Sequence, residues 1–139
     1  MAKFVVTATA VKIGSTNVSD SCASATLELT SADVDVTDFS SNGWTEVIGG
    51  LKSGTLSLDF HADYGVGAIS TILNPLLGTI ATVTLAPNGT VGSSTNPIWT
   101  VPVHVNTFSP VAGAVGDLST FSVAFPTSGS VSFATAGTV

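Results

Sequence analysis

The chain has 139 residues and a formal net charge of −6, and only 9% of its side chains are charged, against about 25% in a usual globular protein. Nine acids face three lysines and no arginine, which argues against tight nucleic-acid binding, because a DNA binder needs cations to displace condensed counterions. One cysteine excludes an internal disulfide, and no apolar run approaches the roughly 18 residues that would span a membrane.

This length suits one domain. With so few charges, the surface must be built largely from the 20 Thr and 18 Ser together with Ala and Gly. Such a skin is cheap to desolvate against another copy of itself, so composition is compatible both with self-assembly and with a secreted β domain. Phe4 to Val6 is too short for a signal-peptide core and Thr7 and Thr9 break its apolar character, so use without export by the general route is expected.

In chain order, the Val- and Thr-rich stretch from Phe4 to Ile13 predicts a first strand, closed by the turn "GSTN". "SATLELTSADVDVT", residues 24 to 37, alternates twice: Leu27 and Leu29 share one face, then Val34 and Val36 oppose Asp33 and Asp35. "FSSNGWTEVIGGLKSG", residues 39 to 54, reads as a Ser- and Gly-rich loop that nevertheless carries Trp44, Glu46, Ile48 and Lys52. "TLSLDF" then places Leu56, Leu58 and Phe60 inward with a strict two-residue period. The period next changes to three and four through Val66, Ile69, Ile72 and Leu73, predicting one short helix over about 65–74 that Pro75 ends and Asp63 is placed to cap.

Strands resume at "TIATVTLA", and Pro87-Asn88-Gly89 is a turn. Trp99, Val101, Val103 and Val105 share a face of the following strand, and Pro102 on its other face predicts an edge or a bulge. Phe121, Val123 and Phe125 define the penultimate strand, and Val131 with Phe133 a last one. About seven strands and one helix predict a mainly β domain, a β-sandwich or compact barrel with one flanking helix, over residues 1–139.

Little in the chain looks catalytic, and no cofactor is expected. His61 and His104 are the only bases for a nucleophilic triad, and both alternate outward on strands; no G-x-S-x-G elbow occurs. Asp59, His61 and Asp63 would form a metal trio only if one strand face ran that far. "DVDVTD" lacks the glycine and terminal glutamate of an EF-hand loop, and in "GGLKSG" the lysine follows Leu51, so the backbone cradle of a phosphate loop is missing. For Trp44, periodicity leaves two roles open: a plug folded back into the core, or an anchor against a neighbouring subunit.

The order of these signals resembles the major tail proteins of long-tailed bacteriophages, the tail tube family. The likeness is carried by "VDVTDF", the loop with "NGW", "IGGLKSGTLSLDF" with its following helix, and the S-P-V-x-G-x-V-G-D turn within "VNTFSPVAGAVGDLSTFSVAFPTSGSVSFAT". It extends from about Ser24 to Thr135. The resemblance implies hexameric rings stacked into a hollow virion tail tube, with tape-measure and tail-terminator or tip proteins as further partners. It also implies a stacking loop at about 38–54, with Phe39, Trp44, Glu46, Ile48, Leu51 and Lys52 as contacts between rings. DNA would pass such a bore without tight binding, and Asp33, Asp35 and Asp59 are the acids expected to face it, unless they face outside solvent. The rival expectations are a non-enzymatic adhesion or carbohydrate-binding β-sandwich, a capsid decoration protein, and, more remotely, a jelly-roll hydrolase.

Overall fold

A computed structural model describes residues 3–139. The described residues form eight strands in two sheets and one α-helix. The five-stranded sheet has the order β2-β1-β5-β6-β8, from β1 (Ala10–Ile13), β2 (Thr16–Asn17), β5 (Ile80–Ala86), β6 (Ile98–His104) and β8 (Ser132–Ala134). The three-stranded sheet has the order β3-β4-β7, from β3 (Cys22–Asp35), β4 (Val47–His61) and β7 (Thr120–Pro126), and every pairing is antiparallel.

One core lies between the sheets. Leu56, Leu58 and Phe60 of β4 and Phe121, Val123 and Phe125 of β7 face Val11, Ile13, Val83, Val101 and Val103 of the larger sheet, all buried. Burying each such side chain contributes about 1.5–3 kcal/mol. Phe121 joins this core to the loop before β7, its ring lying 5.4 Å from both Phe60 and Phe108.

The helix α1 (Ile69–Leu76) closes one end, inserting Ile69 and Leu73. It starts four residues later than the periodicity suggests, because Gly67 has a φ of 75° and the segment before it forms a turn instead. Val66 therefore lies outside the helix and is fully exposed. Asp63 does not cap α1, whose N-cap is Ala68; its carboxylate accepts the Gly65 N–H, and its backbone carbonyl accepts the Ser70 N–H.

Two other expectations need correction. Residues 4–9 form no strand: pairing begins at Ala10, and Phe4, Val5 and Val6 stay exposed. The strand expected over 24–37 forms as β3. Half of the expected loop over 39–54 is also strand, since β4 begins at Val47 and pairs with β3 from there to Phe60. Pro102, by contrast, sits where its missing N–H costs nothing: β8 pairs β6 only as far as Thr100, and beyond it the Pro102 carbonyl accepts the Ser128 N–H, so the donorless side faces the chain leading to β8. No helix among the described residues is long and apolar enough to cross a membrane.

Candidate functional site: an exposed β-arm and a polar sheet face

β3 and β4 are far longer than the strands they pack against. Their proximal halves cover the core, whereas from Leu29 onward on β3, and before Leu56 on β4, the hairpin continues as an arm that is exposed almost throughout. Its register runs Leu29↔Gly54, Ser31↔Lys52, Asp33↔Gly49 and Asp35↔Val47. Between the second and third of these pairs β4 holds one extra residue, a bulge at Gly50 and Leu51 opposite Ala32.

The bulge lies in β4, so alternation along β3 is unbroken. Val34 and Val36 therefore fall on the face opposite Leu27 and Leu29, and the apolar stripe of the arm changes sides. Ile48 pairs with Val34 on that face. Two glycines allow the strands to approach there: a Cβ on Gly54 would lie 2.7 Å from the Glu28 carbonyl oxygen, and one on Gly50 would lie 2.9 Å from a Val34 methyl.

The tip is tightly built. Asp38 caps a single 3-10 turn, Phe39–Ser41: its carboxylate accepts the Ser40 N–H at 2.9 Å and the Ser40 hydroxyl at 2.6 Å, and the Ser41 hydroxyl accepts the Asp38 N–H. Asn42 (φ 53°) and Gly43 (φ 83°) then take left-handed conformations that turn the chain back, and the Trp44 N–H donates to the Ser41 carbonyl. Below the tip, Thr37 and Glu46 exchange bonds, the Glu46 N–H reaching the Thr37 hydroxyl at 2.8 Å. The hydroxyls around Asp38 and Asp35, led by those of Ser40 and Thr37, hold both carboxyls below the ordinary carboxylate value.

The serines and glycines of this segment thus make a scaffold, and what it displays is apolar. Phe39 is 105% and Trp44 79% exposed, and Ile48 and Leu51 stand out of the arm as well. Trp44 is not a plug in the core of its own chain. The six contact candidates all lie on this arm: Phe39, Trp44 and Glu46 at or beside the tip, Ile48, Leu51 and Lys52 along β4.

The three acids expected to share one surface do not. Asp59 alternates with Ser57 and Thr55 on the outward face of the three-stranded sheet, where Glu28 of β3 lies opposite Thr55. Asp33 and Asp35 lie on the other side of the arm, with Val47 and Gly49. Around them the outward face carries mainly hydroxyls, Thr26, Thr55, Ser57, Thr120 and Ser122, with Ala124 and Pro126 on β7 and His61 at its end. Sequence reading missed Glu28 because it takes the central register of a long β3 to place that carboxylate on the same face as Asp59, four positions away along the pairing. Asp63 leaves the strand for the turn before α1, and among the described residues no group of three or more His, Cys, Asp and Glu side chains is placed to hold a metal ion. Burial pushes the Cys22 thiol up from its ordinary value, and its S–H donates to the Ser24 carbonyl.

No protein-family model matches the chain, and no curated protein matches it in sequence. Solved structures do share its fold. It is similar to a chain in the tail of an empty gene transfer agent (GTA) particle, computed with helical refinement and C6 symmetry, with a TM-score of 0.65 and 19% identity over 81% of each chain. It is also similar to a chain in the virion of a native GTA particle, with a TM-score of 0.63 and 19% identity over 81% of this chain and 84% of the other.

Proposed function

We propose, from the fold shared with a chain of a C6-symmetric particle tail, that this protein is a structural, non-enzymatic subunit of a phage-like tail tube, located in the virion. Six copies close into a ring, and rings stack into a hollow conduit through which DNA leaves the particle. That fold likeness is the single observation that carries the reading, and the monomer's own surface supports it.

A lone chain that exposes Phe39, Trp44, Ile48 and Leu51 on an unsupported arm presents an aggregation hazard, and assembly removes it. Stacking through the arm gives these side chains a partner. The few charges suit close contact between like copies, since little hydration is lost when their surfaces meet. For the bore we assign the outward face of the three-stranded sheet, which carries Glu28 and Asp59 among hydroxyls. A negative, arginine-free wall repels phosphate over a screening length of roughly 8 Å at physiological salt, so DNA slides without being held. Asp33 and Asp35, on the other side of the arm, are assigned to contacts near the ring junction instead.

Electron microscopy of the purified protein tests this. Hollow, striated tubes are expected as concentration rises; discrete monomers at every concentration would refute it.

A further inference from the structure

β3 presents the longest free edge in the molecule. The five-stranded sheet ends in β2 and β8, of two and three residues, whereas the 14 residues of β3 pair with β4 on one side and with no strand among the described residues on the other. Such an edge accepts a strand from another molecule unless something covers it. Along its inner side lies an open apolar hollow of about 390 Å³, walled by Ala25, Leu27 and Leu29 of β3, by Leu85 and Trp99 of the larger sheet, and by Val6. A smaller hollow of about 160 Å³ continues it along residues 22–25, with Val6 and Thr7 in its wall.

The segment before β1 is pinned at its base. The Ala8 carbonyl accepts the Gly89 N–H at 2.7 Å, and the Thr9 hydroxyl donates to the Pro87 carbonyl. Residues 3–7 have no strand pairing, and Phe4, Val5 and Val6 are exposed. Val6 reaches both hollows, whereas Thr7 reaches only the one at residues 22–25. Running back from Thr7 to Lys3, the segment heads toward Leu27, antiparallel to β3, with Val6 at the level of Ala25. The parallel sense would carry Phe4 away from the larger hollow, to Ala23.

One antiparallel register satisfies every side chain. With Val6 opposite Ala25, Phe4 falls opposite Leu27 and Lys3 opposite Glu28. Alternation then sends Val6 and Phe4 inward to the hollow and Val5 and Lys3 outward, so that one of only three lysines meets the Glu28 carboxylate across the pair. A slip of one residue would turn Lys3 into the apolar hollow and Phe4 out of it, and a slip of two would separate Lys3 from Glu28.

We propose that residues 3–7 are a strap that closes on β3 of their own chain in this register, filling the hollow with Phe4 and shielding the edge until assembly of like copies displaces it. The chain's own segment is the occupant because its pinned base holds it beside the hollow at any dilution. Displacement returns Glu28 to the polar face assigned to the bore. The shielding rests on the assembly proposed above; the closure does not.

Val5→Cys and Thr26→Cys, opposite each other in this register, are combined with Cys22→Ser, which leaves Phe4 and Lys3 in place. A disulfide forms only where the two Cα atoms come within about 7 Å. Oxidation of dilute free subunits should give an intramolecular bridge at a rate independent of concentration, and Val5→Cys with Thr30→Cys should give roughly tenfold less. Lys3→Glu should slow the bridge, and Lys3→Glu with Glu28→Lys should restore it. Bridging only between chains would make the strap a second copy's, and equal bridging at Thr26 and Thr30 would mean that no register is held; either result overturns the closure. The bridged chain should stay dispersed at concentrations where the same chain, reduced, pellets as tubes, and equal pelleting would overturn the shield. If the unmodified chain forms no tubes, the tube reading and the shield fall together, while the intramolecular bridge still decides the closure.

Discussion

Trp44 shows how a residue's surroundings divide stability from assembly. It stands 79% exposed on a turn that Asp38, Ser40 and Ser41 hold in place without it. Trp44→Ala should therefore change folding stability by no more than about 0.5 kcal/mol, the usual range for surface sites, yet sharply reduce tube yield. Thermal melting and pelleting of the same sample separate the two effects, and a melting drop matching a buried Trp would contradict the exposed position. The turn itself should respond to acid. The carboxyls of Asp35 and Asp38 are held below their ordinary 3.8 by hydrogen bonds present only in the folded tip, so these bonds stabilise the tip above that value and are lost as pH falls from about 3.8 through the lower folded values. Amide exchange at Ser40 and Thr37, compared with a core amide such as Leu58 and corrected for intrinsic rates, should show the tip opening first on that descent. Equal protection at pH 5 and pH 2.5 would rule the mechanism out.

Along β4 a single element changes role. Its proximal half is core and its distal half is display, so two leucines five residues apart should behave differently. Leu56→Ala, at a side chain with no exposure, should cost about 2–5 kcal/mol in denaturant unfolding, whereas Leu51→Ala, 88% exposed at the bulge, should cost about 0.5 kcal/mol or less. Gly54 marks the junction between the halves. Gly54→Ala forces a methyl against the Glu28 carbonyl and should destabilise by about 1–3 kcal/mol by pushing the paired strands apart. The proximal half was legible in the sequence, because burial on one face writes a two-residue period into Leu56, Leu58 and Phe60. The distal half was not: a strand exposed on both faces has no reason to alternate, and "NGWTEVIGGLKSG" reads as loop although Val47 onward is paired. The same physics hid the limits of β1, since Phe4 to Val6 have strand composition but pair with no strand among the described residues, and composition does not report pairing.

For the whole molecule, the relation between its two ends and its two faces matters more than any single residue. The sequence announced a mainly β chain with one helix, and its acidic, arginine-free composition pointed away from nucleic-acid capture. Which acids share a surface depended on register, so Asp59 shares the outward face with Glu28 while Asp33 and Asp35 turn to the other side. Reversing that surface tests its part in the bore: a Glu28→Lys, Asp59→Lys double variant should make assembled tubes retain double-stranded DNA at low salt and release it as salt rises. Unchanged DNA passage or retention would place this sheet face elsewhere. The most direct measurement is a helical reconstruction, by electron microscopy, of polymers grown from the unmodified chain. Six subunits per ring around a bore lined by the Glu28 and Asp59 face, with Trp44 of each subunit covered by the next ring, is the expected result. A polymer whose bore is lined by other residues and whose arms project into solvent, or no polymer at all, would contradict it.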